Sequence, residues 1–150
     1  MKTYKFIRLL LCFVAFTTMM SCNKDNVDSN NVDEASNASI VGTWGCLHSY
    51  YHSWGTYDGE PYDHENTDNY IGFVVNFKDD GTYTSSANNT PFYTDGGSWM
   101  KNENTLIINN TRQCEIQMLN NTDLKIKYHY SFSSGVYIGE TNVIYEFKRQ

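Results

Sequence analysis

From Val41 onward the chain alternates apolar and polar residues with a period of two, and that pattern admits strands and little else. The clearest stretch sets Leu124, Ile126, Tyr128, Tyr130 and Phe132 on one face and Lys125, Lys127, His129 and Ser131 on the other. Ile71, Phe73, Val75 and Phe77 alternate in the same way and end in Asp79-Asp80-Gly81 before Thr82-Tyr83-Thr84, a hairpin signal. Further strands are predicted at Gly97–Met100, Leu106–Ile108, Cys114–Met118 and around Val143, Tyr145 and Phe147, separated by polar turns such as Asn120-Asn121-Thr122-Asp123. With Val41 to about His52 as the first strand, roughly eight antiparallel strands follow one another through mostly short turns. No segment of helical period interrupts them. Strands with one apolar face must close on themselves or pair as two sheets, because a flat sheet leaves edges and an uncovered face. The simplest closure is an all-β, antiparallel, up-and-down eight-stranded barrel.

The N-terminus states an address. Lys2, Lys5 and Arg8 precede the apolar run Leu9–Phe16, which is too short to span a bilayer, and Ser21 stands before Cys22. The segment 1–21 reads as a cleaved export signal and resembles the lipobox of bacterial lipoproteins. That resemblance implies acyl chains on Cys22, a membrane partner reached through them, and a cell-envelope, outer-membrane location. Residues 22–39 are rich in Asn, Asp and Ser and cannot bury enough surface to offset ordering entropy, so they are expected to form a flexible tether. Residues 40–150 are left for a single barrel domain.

All seventeen acidic residues follow the signal, as do eight of the eleven basic ones, so the mature chain carries 8 minus 17, or −9. Nucleic acid, which demands a basic face, is excluded as an expected partner.

The first predicted strand opens with Gly42-Thr43-Trp44, and the last closes with Lys148-Arg149. In layout and in this pair of motifs, residues 40–150 resemble a bacterial lipocalin-like lipoprotein domain. The lipocalin Thr-Asp-Tyr motif is missing and the chain is short for that family. The resemblance implies a barrel with Gly42, Trp44 and Arg149 as its plug at the closed end. A guanidinium over an indole adds ~0.5 to 2 kcal/mol of cation–π attraction, a structural role.

If Trp44 points inward, strict alternation puts Cys46, His48, Tyr50 and His52 inward as well. Together with Tyr83, Tyr128, Tyr130 and Tyr145 they predict an interior of aromatic rings with polar tips. Such an interior suits a small amphipathic ligand, or simply fills itself. His48 and His52 would lie about 13 Å apart on one strand and share no metal. No metal, cofactor or enzymatic activity is expected, since no nucleophile, phosphate-loop or paired-carboxylate motif is present. Residues 49–69 read as a long lid loop carrying Trp54, Tyr57 and Tyr62 among acids, suited to a ligand at the barrel mouth or, alternatively, to a protein partner of a filled barrel. Candidate ligand-binding residues are therefore His48, Tyr50, His52, Trp54, Tyr57, Tyr83, Tyr128 and Tyr130. An exported compartment permits a disulfide between Cys46 and Cys114. Their strands are not neighbours, and the pairing stays open.

Overall fold

The computed structural model describes residues 38–69 and 72–150. The expected signal peptide 1–21, the acylation site Cys22, the tether as far as residue 37, and Ile71 lie outside the described residues. Nine strands follow in chain order: β1 (Gly42–Tyr57), β2 (Glu60–Asn69), β3 (Val74–Phe77), β4 (Thr82–Ser85), β5 (Gly97–Asn102), β6 (Thr105–Ile108), β7 (Arg112–Leu119), β8 (Asp123–Ser134) and β9 (Tyr137–Arg149). Each pairs antiparallel with its neighbours, and β9 returns to pair with β1, closing the sheet. β2 and β3 lie one after the other along the same side of β1, the first against His48–Tyr57 and the second against Gly42–Gly45. Nine segments therefore make eight staves, and the architecture is the closed up-and-down barrel expected from the alternation, compatible with a lipocalin-like fold.

The turns follow from local chemistry. Asp80 accepts hydrogen bonds from the Thr82 amide at 2.9 Å and hydroxyl at 2.6 Å, and these hold its carboxyl below the usual carboxylate range. Asn120 caps the β7–β8 turn by accepting from the amides of Thr122 and Asp123. Asn109 and Asn110, in the three-residue connection between Ile108 and Arg112, both take positive φ, which asparagine tolerates better than most residues.

One expectation is overturned by the same rule. Residues 49–69 are no lid loop. They are most of a long hairpin, β1–β2, folded about Asp58-Gly59 with φ of 52° and 83°. Asp-Gly is among the dipeptides best suited to such a turn, because both central residues must sit at φ > 0.

The barrel interior is packed with side chains. Trp44, Phe73, Val75, Phe77, Tyr83, Phe92, Leu106, Ile108, Leu124, Ile126 and Phe147 are all nearly or fully inaccessible. Phe92 comes from the β4–β5 connection, not from a stave, and packs edge-on to Phe77, Tyr83 and Phe147. Tyr83, expected to face a ligand, is a core ring whose hydroxyl accepts from Asn109 Nδ2 at 3.3 Å. Cys46 and Cys114 are separate buried thiols, not a disulfide, and burial pushes each up to about 12. They stand on β1 and β7, with β9 and β8 between them in the ladder.

At the closed end the Arg149 guanidinium lies 4.2 Å above the centroid of the Trp44 ring. The same guanidinium donates to the carbonyls of Val41 (2.8 Å), Asn121 (2.9 Å) and Ser39, and Trp44 Nε1 donates to Ile40 at 2.7 Å. Gly42 has φ of +135°, and a Cβ there would stand 2.5 Å from Arg149 Nη1. The backbone and the cation thus both demand glycine.

Two outcomes follow. Trp44→Ala should cost about 3–5 kcal/mol and Arg149→Ala about 1–3 kcal/mol, read as losses of thermal midpoint of ~10 °C or more and ~5–15 °C. A loss of only a degree or two in Trp44→Ala would show that the ring is not a core plug. In the folded mature chain carrying Cys22→Ser, the raised thiol pKa should slow disulfide-exchange labelling at pH 8 by at least about thirtyfold relative to the unfolded chain, the greater nucleophilicity of the more basic thiolate offsetting part of the lost thiolate fraction. Unfolding should expose two reactive thiols, and finding none would mean a bridge.

Candidate functional site

The staves differ in length. β3, β4 and β6 have four residues each, whereas β1 has 16, β8 has 12 and β9 has 13. β7 stops pairing with β8 at Cys114↔Tyr128, while β8 continues against β9 to Ser134↔Tyr137. Beyond the barrel rim the long strands form a four-stranded sheet in the order β2-β1-β9-β8, rising roughly 20 Å past Tyr128. The inner face of this projecting sheet continues the barrel lining, and its outer face continues the outside wall.

A bulge decides which residues lie on which face. Between Cys46↔Phe147 and His48↔Glu146 the register shifts, so β1 has one residue more than β9, and Leu47 and His48 are both exposed. An inserted residue reverses the alternation beyond it. Trp44 and Cys46 point inward, but above the bulge the inward residues are Ser49, Tyr51 and Ser53. His48, Tyr50, His52 and Trp54, expected inside, stand on the outer face. Tyr57 sits exposed at the tip, its ring 4.4 Å from that of Tyr137.

The inner face and the β4–β5 connection enclose a cleft of about 320 Å³ at the barrel mouth. Val143 and Tyr145 make its floor, Tyr51 and Tyr130 supply rings, Asn66 and Asp68 come from β2, and Asn88, Asn89 and Thr90 come from the connection. Tyr130 stacks on the more deeply buried Tyr128, with ring centroids 5.5 Å apart. Tyr145 donates to the Thr90 carbonyl at 2.8 Å and so ties the connection to the barrel wall. Burial pushes its phenol well above the ordinary range, which keeps it a donor. Asn88 Oδ1 accepts from the amide and hydroxyl of Thr94, and Phe92 anchors the same connection in the core. The connection is thus a fixed wall of the cleft. Higher on the inner face, Gly139 lies beneath Tyr62 and Phe132, and a Cβ there would meet the Tyr62 hydroxyl at 2.5 Å.

Of the eight candidate ligand residues, the cleft holds Tyr130, with Tyr128 supporting it. Ser49, Tyr51, Asn66 and Asp68 belong to the 49–69 segment expected at the mouth but were not among the candidate ligand residues, and Asn88–Thr90 were not anticipated. The Asp58-Gly59 turn would have identified 49–57 and 60–69 as strands, but no residue pattern announces the bulge that turns Tyr51 inward.

On the outer face Trp54 lies between two histidines, with His52 at 4.7 Å and His129 at 6.1 Å between ring centroids. His52 Nε2 is 3.0 Å from Asp63 and 3.9 Å from Glu65, and Glu65 also bonds the Tyr50 hydroxyl and pushes that phenol up. Among the described residues, no three side chains of His, Cys, Asp and Glu converge as a metal site.

The cleft can stack rings against a ligand's apolar face and offer amide and carboxylate groups to its hydroxyls or amides. No family model, no curated protein and no solved structure matches this chain.

Proposed function

We propose that the protein is an envelope lipoprotein, held at a membrane through Cys22, whose barrel binds a small amphipathic ligand at its mouth. The observation that carries this reading is the cleft itself. Tyr51 and Tyr130 present ring surface opposite Asn66, Asp68, Asn88 and Asn89, above an interior that side chains have already filled. A volume of about 320 Å³ falls at the small end of ligand sites, which suits a headgroup or a single ring with a short apolar extension, not a long acyl chain. The interior offers such a chain no continuation, because Phe92 and Tyr145 close the barrel beneath the cleft. The anchor reading rests on Lys2, Lys5, Arg8, the short apolar run and Cys22.

Octyl glucoside, kept monomeric, joins a hydroxylated ring to a short apolar tail and is a fitting probe. In a titration followed by amide resonances it should shift Tyr51, Asn66, Asp68 and Asn88–Thr90 saturably. The double substitution Tyr130→Ala and Asp68→Ala should weaken binding at least about tenfold without moving the thermal midpoint by more than a few degrees. Saturable shifts elsewhere only, or undiminished binding by the variant, would overturn the mouth assignment. Separately, Cys22→Ser should move the protein from the detergent to the aqueous phase on phase separation. Retention in detergent would overturn the anchor and leave the mouth site standing.

A further inference from the structure

The outer face of the projecting sheet carries a second concavity, independent of the mouth. It measures about 610 Å³, is mostly apolar, and is bordered by Trp54 and Thr56 from β1, Ser131 and Ser133 from β8, and Ile138 and Glu140 from β9. Ile138 is 58% exposed, unusual for a large apolar side chain on a sheet. Alongside this groove runs the β8 edge. From His129 to Ser134, β8 pairs with β9 on one side and, among the described residues, with no strand on the other. Its outward side chains there are His129, Ser131 and Ser133, two of them small enough to leave the groove open toward the edge.

Charge selects the occupant. Residues 48–69 and 129–142, which build the projecting sheet, contain Asp58, Glu60, Asp63, Glu65, Asp68 and Glu140 and neither Lys nor Arg. Asp63, Glu65 and Glu140 stand on the same outer face as Trp54. A second copy of this sheet would bring the same acids against them. The chain's own residues 23–37 also fit poorly, with Asp25, Asp28, Asp33 and Glu34 against Lys24. An indole face beside carboxylates attracts lysyl and arginyl groups, and an unpaired strand edge attracts extended backbone.

We propose that this edge and groove together bind a basic, extended segment of another protein, which adds as a strand to His129–Ser134 of β8. An added strand would lie about 4.8 Å beyond β8, with alternate side chains on the outer face. A Lys or Arg there would pass its stem over Ser131 or Ser133 and Ile138 and bring its charged head to Glu140 and the Trp54 ring. The intervening residues would face the inner side, next to Tyr130 and Phe132, where β-branched apolar side chains fit.

The probe is a blocked octapeptide of alternating Lys and Val, added to the full mature chain and read by amide hydrogen exchange. It should bind saturably and protect amides within His129–Ser134. The same peptide N-methylated at alternate amides keeps its charge but cannot extend a sheet, and should bind at least about tenfold more weakly. Glu140→Gln, which conserves shape at a half-exposed site, and Trp54→Ala should each weaken the unmodified peptide about fivefold. Any of three results would overturn the proposal: no protection of the edge, equal binding of the N-methylated or of a Glu/Val peptide, or the same protection by spermine, which would identify a simple cation site.

Discussion

The ladder between β1 and β9 is the member on which both parts of the molecule depend. Its lower end closes the barrel, and its upper end is the centre of the projecting sheet, so one ladder, broken only by the bulge at Leu47, runs from Trp44↔Arg149 to Tyr57↔Tyr137. The ladder is held at both ends by side chains. Arg149 lies over Trp44 and donates to three carbonyls, while the rings of Tyr57 and Tyr137 meet at a tilt at the tip. The arginine is fixed by several charge-assisted bonds converging on a single planar group. A lysine could give the charge but not the fork.

The alternation of Leu124–Phe132 and Phe73–Phe77 disclosed the fold class, because burial on one face of a strand leaves a period of two in any sequence. The meeting of Gly42-Thr43-Trp44 with the last strand follows from closure itself, since a meander closes only when its first strand reaches its last. The bulge at Leu47 was not legible. Leu47 is apolar, as an inward residue would be, and it is the cross-strand register, not its own chemistry, that makes it the extra residue. One insertion sent His48, Tyr50, His52 and Trp54 to the outer face, moving most of the anticipated lining out of the cleft. Asp58-Gly59 was legible by turn chemistry, but the polar residues around it resemble a loop. Strands of a sheet with one solvated and one half-solvated face need little apolar content. Phe92 gave no signal either, because a core ring supplied by a connection has no periodicity to betray it.

The filled interior relocates binding without abolishing it. An eight-stranded barrel is just wide enough for its own side chains, and here ten or so large ones, Phe92 among them, occupy the axis. Space then remains only where the staves stop being equal. The long β1, β2, β8 and β9 overreach the short β3–β7, and the step between them is the mouth cleft, walled on one side by sheet and on the other by the β4–β5 connection. Stave-length inequality, and not barrel radius, therefore creates the concavity.

That same inequality has a second consequence. Where β8 outlasts β7, an edge is left that closure was supposed to remove, and edges are hazardous unless managed. On this edge the management is by composition: serines at 131, 133 and 134 offer no apolar zipper, and the surrounding acids repel another copy of the chain. Repulsion of that kind is selective. It discourages self-pairing and pairing with acidic strands, yet lowers the barrier for a basic one, so a device that protects the edge also determines which partner could use it. Trp54 lies within that field only because the bulge turned it outward, which links the two faces: the insertion that placed Tyr51 over the mouth placed an indole beside the open edge.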